Sequence, residues 1–171
     1  MISIREFRDA DWARVWPLLQ ATFAMGESYT FPPDIGEADA RKAWVEIPAA
    51  TFVAEEAGEI LGTYFIKPNQ PGLGAHVCNC GYVVAPSAQG RGVAARMCEH
   101  SQQFAISQGF RAMQFNFVVA TNQRAVRLWL RLGFEVVGRL PGAFRHRQLG
   151  FVDALVMYKT LTAQGLYHPR P

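Results

Sequence analysis

Cysteine is scarce and unpaired in this sequence, with only Cys78, Cys80 and Cys98 among 171 residues. An odd count makes no even disulfide framework, and a Cys-Asn-Cys spacing is not that of a zinc finger. A disulfide-stapled secreted scaffold is thereby excluded, no metal is expected, and a reducing compartment is the simplest reading. No apolar run reaches membrane-spanning length, and the opening MISIREFRDADW carries charges where a leader would need an apolar stretch. The expectation is a soluble, cytoplasmic protein with no membrane partner. Charge is also sparse: 18% of residues are charged, 17 basic against 14 acidic, for a net +3. The basic residues cluster late, at Arg124, Arg127, Arg131, Arg139, Arg145 and Arg147. So mild a surplus does not call for nucleic acid, because a polyphosphate cofactor accounts for it equally well. Repeats, low-complexity tracts and linkers are missing too, so residues 1–171 read as one domain with a single sizeable core.

What is present is a pattern that switches between period two and period 3.6. ISIREF reads as a short strand, and Asp9 or Asp11 can cap a helix through Trp12, Val15, Trp16, Leu19 and Phe23. AMGESYTFPPD is a loop, and IGEADARKAW is a second helical stretch. TFVAEE and EILGTYFIKP form a hairpin, with AHVCNCGYVV as a third consecutive, antiparallel strand. A helix from Gly92 to about Gln108 closes at Gly109, and RAMQFNFVV is a strand. The next helix starts at Thr121 or Asn122 and ends at Gly133, and the strands FEVVGRL and FVDALVMYK flank a loop, PGAFRHRQLG. The sum is an α/β fold, a mixed, mostly antiparallel central sheet flanked by about four helices.

One stretch asks for a ligand. YVVAPSAQGRGVAARM, residues 82–97, runs from a strand through a loop with two glycines into a helix that begins with small residues. Glycines so placed let backbone N–H groups converge on an anion at a helix N-terminus, where unpaired donors and the helix dipole both favour negative charge. The implied cargo is a phosphate, and an ordinary structural turn is the alternative.

Two motifs together resemble the GNAT superfamily of N-acetyltransferases. The first is Gln89-Gly90-Arg91-Gly92-Val93-Ala94, preceded by Val84-Ala85-Pro86; the second is Asn122, Ala125, Leu128, Trp129, Gly133 and Phe134. Together they cover the C-terminal two thirds of the chain. The resemblance implies acetyl-CoA as cosubstrate, with residues 89–94 wrapping its pyrophosphate through backbone N–H groups. The strand Tyr82-Val83-Val84 would splay from its neighbour and pair with the pantetheine arm, and an N–H there, taken as that of Val84, would face the thioester oxygen. Asn122 would serve the cofactor, or merely cap its helix, or do both.

The departures from the family pattern bear on chemistry. Many relatives carry a carboxylate base ten positions before the signature, and that place is Asn79 here. Many use a tyrosine acid in the downstream helix, and that place is Trp129. Neither an amide nor an indole exchanges a proton in this range. His76 is the nearest substitute base, yet three residues from Asn79 on an alternating strand it should face the other way. The readings left are a CoA-responsive binding module without chemistry, or catalysis by positioning, in which the acceptor amine loses its proton to water. An α-amino group, with a free pKa of about 8, suits the latter better than a lysine ammonium at about 10.4.

Asn79, Asn116 and Asn122, with the ending PGAFRH…VDALVMYK, further resemble the branch that acetylates proline analogues such as azetidine-2-carboxylate. That resemblance implies a small-molecule amine acceptor held by Asn79 and Asn116, taken as the catalytic pair. Arg145 or His146, between the last two strands, would receive a substrate carboxylate, and Glu27 or Tyr29 would select the amine. The rival acceptor is the N-terminal amine of a protein or peptide. A homodimer is compatible with the sequence, which does not fix the oligomeric state.

Overall fold

A computed structural model describes residues 1–161. Its centre is a seven-stranded sheet in the order β1-β2-β3-β4-β5-β7-β6, formed by β1 (Ser3–Glu6), β2 (Ala50–Glu56), β3 (Glu59–Pro68), β4 (Val77–Val84), β5 (Ala112–Val119), β6 (Glu135–His146) and β7 (Gly150–Thr160). Every pairing is antiparallel except β4 with β5. The crossover between these two is α3 (Val93–Ser107), as a parallel pair requires.

Alternation along the strands divides the core into two layers. Phe52, Tyr64, Ile66, Cys78, Cys80, Met113 and Phe115 face α3 and α4 (Gln123–Arg131), where Met97, Cys98, Val126 and Trp129 meet them. Val53, Phe65 and Val83 point the opposite way, onto α1 (Trp12–Met25) and α2 (Glu37–Arg41), through Val15, Leu19, Phe23 and Ala40. Trp44 joins this layer from the wider helical turn Lys42–Glu46 that continues α2. α1 ends on Gly26, whose φ of 64° supplies the left-handed residue that stops a helix.

The elements fall where the periodicity places them, with one correction. The stretch 141–150, expected to be a loop, is mostly strand: β6 runs on to His146, and the hairpin turn is confined to 147–149. Glycines and a proline suggest a loop there, but an irregular register between Leu140 and Phe144, with Gly142 at φ 58°, absorbs them inside the ladder. Arg145 and His146 are therefore strand residues, paired with Phe151 and Gly150.

Asp11 anchors the start of α1. Its buried carboxylate accepts from Arg5 at 2.7 and 2.9 Å, from Arg14 at 2.8 Å and from the Arg8 N–H at 2.8 Å, and Arg5 also grips Glu55 on β2. The Arg5 guanidinium is the main reason its carboxyl pKa is held down at about 2. A carboxyl depressed in the folded state stabilises above its unfolded pKa and loses that contribution as the pH falls. Unfolding free energy should thus drop by about 2 kcal/mol between roughly pH 5 and pH 2 through this group. Urea denaturation across that range should show the drop in the wild type and a smaller one in Asp11→Asn.

Candidate active site

β4 and β5 are in register only at Val77–Ala112 and Cys78–Met113 and then part. What lines the gap follows from the β3–β4 ladder. The Asn69 N–H donates to Val77 O and the Ala85 N–H to Leu61 O, each at 2.8 Å, so odd-numbered β4 residues turn their backbone groups toward β3. By alternation, those of Cys80, Tyr82 and Val84 turn toward β5, which has moved away. The result is a slot edged by free main-chain donors and acceptors. Tyr82 and Val84 stand on it, whereas Val83 pairs with Thr63 of β3, so its backbone is not available to a ligand in the slot.

Asn79 sits where the slot begins. In an unbroken parallel ladder the carbonyl of Gln114 would next accept the Cys80 N–H; instead it accepts Asn79 Nδ2 at 2.9 Å. A side-chain amide thus terminates the pairing, a task a carboxylate cannot perform because it has no hydrogen to donate. The Gln114 side chain continues the chain of amides, its Nε2 donating to Asn116 Oδ1 at 3.0 Å. Asn79, Gln114 and Asn116 lie on one face of the sheet, which joins the two predicted asparagines through a residue that the sequence reading missed. The signal was available, since Gln114 is two positions before Asn116 on the same strand. His76 is not among them: it is exposed, one residue before β4, and its carbonyl accepts from the Arg111 N–H.

The slot has a wall on each side. On the α3 side, Trp129 is buried against Tyr82 and Phe115, with ring centroids 5.1 and 5.0 Å away. On the other side, the Tyr29 hydroxyl, from the segment between α1 and α2, donates to the Tyr82 carbonyl at 2.8 Å. It passes over Gly81, where an added Cβ would lie 2.5 Å from the Phe65 ring and 3.2 Å from the Tyr29 oxygen. Burial pushes the Tyr29 hydroxyl above its ordinary pKa, so it stays a donor.

At the mouth of the slot, Gly90 and Gly92 have φ values of 81° and 76°, and Gly92 caps α3 with no side chain bonded to the first turn. The N–H groups of Val93, Ala94 and Ala95 therefore project unpaired from the helix start. Gln89 accepts from Arg124 Nη1 at 3.2 Å, which brings the beginning of α4 beside this loop. Arg91 turns away and pairs with Glu56, which also holds the N-terminal ammonium. Asn122 caps α4 by accepting the Ala125 N–H at 3.3 Å, leaving its Nδ2 for another partner.

The two segments that border the free face are tied together. Arg147, in the β6–β7 turn, donates its N–H to Gly26 O at 3.0 Å and its Nη1 to Ala24 O at 2.8 Å. Half-buried Glu27 and Tyr29 follow directly. Of the pair expected to meet a carboxylate, His146 is buried, and its Nδ1 accepts the Gln148 and Leu149 N–H groups at 3.1 and 3.2 Å. It caps the turn and does not offer a cationic face at that nitrogen. Arg145 is exposed on β6. Among the described residues, no group of His, Cys, Asp and Glu is arranged to hold a metal ion, and no helix is long and apolar enough to cross a membrane.

A family model described as "Acetyltransferase (GNAT) family" matches residues 12–134. The N-acetyltransferase aca1 of Schizosaccharomyces pombe is 40% identical over 108 residues, which are 63% of this chain and 52% of that protein, so the chain spans about half the length of this relative. The structure of a GCN5-related N-acetyltransferase from Kribbella flavida superposes with a TM-score of 0.89 at 40% identity, over 93% of this chain and 97% of that one. A GNAT superfamily phosphinothricin acetyltransferase from Sinorhizobium meliloti, in complex with acetyl-CoA, superposes at 0.82 with 16% identity, over 93% and 88%.

The Arg147 tie has a measurable consequence. Arg147→Ala removes one hydrogen bond to Ala24 and leaves the buried core intact, so residues 24–31 should open about ten times more often, as loss of a bond of about 1–2 kcal/mol implies. Amide hydrogen exchange should quicken there and stay unchanged in β2 and β3.

Proposed function

The chain belongs to the GNAT acetyltransferase family, and from that premise we propose that it transfers an acetyl group from acetyl-CoA to the amine of a small, amino-acid-like acceptor. The observation that carries the reading is the parted β4–β5 pair, with an uncapped helix start at its mouth and two tied segments beside its amide-lined face.

The residues fit acetyl-CoA. A pantetheine arm has amides that can bond to the Tyr82 N–H and to the backbone groups of Val84 as an added strand would, the Tyr82 carbonyl being held by Tyr29. A pyrophosphate matches the N–H groups of Gly92, Val93 and Ala94, which the positive φ of Gly90 and Gly92 lets come close, with Gln89 and Arg124 alongside. Asn122, whose Oδ1 caps α4, has its Nδ2 left for the cofactor. The Arg91–Glu56 pair makes Arg91 a weaker phosphate partner than Arg124. Acetyl-CoA supplies an activated thioester. The Val84 N–H donates to the oxygen of the group in transfer, a preorganised dipole where charge grows.

On the acceptor side the parted strands present amides, with Asn79 where many relatives carry a carboxylate base. Asn79 Oδ1 can accept a hydrogen of the incoming amine while Nδ2 holds Gln114, and Asn116 Nδ2 can donate while its oxygen accepts from Gln114. The acceptor must therefore arrive neutral, its proton taken by water. The contacts of Arg147 with Ala24 and Gly26 bring the two bordering segments together, which favours a small molecule over an extended peptide. Tyr29 and Glu27 lie on the segment that follows Gly26, and Arg145 lies on the strand that leads into the β6–β7 turn.

An amine panel assayed by release of CoA thiol tests the reading. Amino acids and cyclic imino acids should be turned over; turnover of peptides alone would move the function to N-terminal acetylation, and binding of CoA without any turnover would make the chain a cofactor-responsive module. With the preferred acceptor, the rate should climb along the acceptor's own amine titration, without an ascending limb near pH 6.5. Asn116→Ala should lower kcat roughly ten- to a hundredfold with acetyl-CoA affinity unchanged. Asn122→Ala should raise KM for acetyl-CoA, and thermal melting of both variants separates these effects from destabilisation.

A further inference from the structure

Lys67 is paired across the β3–β4 ladder with Asn79, so the two side chains stand side by side on the amide-lined face. Its stem is half-buried and its Nζ lies 5.5 Å from the centre of the Phe65 ring. Among the described residues, no carboxylate comes within 4.0 Å of it. Elsewhere five cations, Arg5, Arg14, Arg41, Arg91 and Arg139, each hold a carboxylate, and Lys159 is fixed by Gln102 and the Leu132 carbonyl. The ladder neighbour of Lys67 on the acceptor face is the neutral amide Asn79, and Gln114 and Asn116 follow one strand further, on β5.

We propose that Lys67 is the specificity-determining residue that receives the acceptor's carboxylate, which makes the acceptor class an α-amino or α-imino acid. The inference rests on the acetyltransfer proposed above. Both functional groups of such an acceptor sit on one carbon. An amine held at the Asn79 amide therefore places the carboxylate over the ladder partner of Asn79. The ammonium offers three donors and an uncompensated charge at that point, and the Phe65 ring confines its position. His146 and Arg145 do not supply this charge: the first caps its own turn, and the second is an exposed residue of β6.

The test compares matched acceptors, an α-amino acid and the amine lacking only its carboxylate, in the wild type, Lys67→Gln and Lys67→Arg. The ratio of kcat/KM for the acid to that for the amine should fall about tenfold or more in Lys67→Gln, and Lys67→Arg should recover much of it, because a guanidinium also pairs with a carboxylate. Calorimetry should find acetyl-CoA affinity the same in all three. An unchanged ratio, or a wild type that acetylates amines yet prefers them without the carboxylate, overturns the assignment of Lys67 while acetyltransfer stands. A wild type that acetylates no member of the panel overturns both.

Discussion

The point at which β4 and β5 stop pairing governs the rest of the structure. A parallel ladder would normally continue as far as both strands do, because unpaired buried backbone groups are costly. Here it lasts for two residue pairs and ends where Asn79 donates to the Gln114 carbonyl. Past that rung the main chain of Cys80, Tyr82 and Val84 faces open space, and the structure is stable only because other groups take up part of the burden. Tyr29 satisfies the Tyr82 carbonyl, Trp129 and Phe115 fill the α3 side, and the glycine loop carries the chain out of β4 into α3. The remaining main-chain groups are those that the proposed cosubstrate would pair with.

The same constraint explains why Asn79 is an amide. A carboxylate there would set a negative oxygen against a carbonyl and would terminate the ladder less well. The aromatic at 129 has a comparable explanation: it is a core residue packed on Tyr82, and its indole lies among Phe115 and Phe134. Two positions that look like losses of catalytic function in a motif comparison are, in the folded chain, parts of the wall of the slot. An acceptor amine that keeps a usable neutral fraction near pH 7 lessens the need for the base that many relatives carry at the first of these positions.

Much of this was legible in the sequence because the relevant features are local. Period-two and period-3.6 patterning located the strands and helices, and the glycines at 90 and 92 marked the helix start. Asn79 and Asn116 were singled out by a resemblance. What escaped the sequence depends on contacts between distant segments. The Arg147–Ala24 tie spans more than a hundred residues, and no local pattern announces it. Arg91 belongs to the glycine loop, and nothing local announces that its side chain pairs with Glu56 of β2. The stretch 141–146 was read as a loop because glycine and proline are turn residues on average; a bulged register accommodates them in a strand instead. The role of His146 as the cap of its own turn follows from that register and could not precede it.

The central claim is that the gap between β4 and β5 binds the cosubstrate through main-chain groups. Backbone amide chemical shifts during titration with acetyl-CoA test it most directly. The account predicts large changes confined to Cys80, Tyr82 and Val84 and to residues 92–95, with Gly81 and Val83, whose N–H groups point to β3, moving far less. Saturable binding whose changes avoid β4 and the start of α3, or that affect odd and even β4 residues alike, would contradict it.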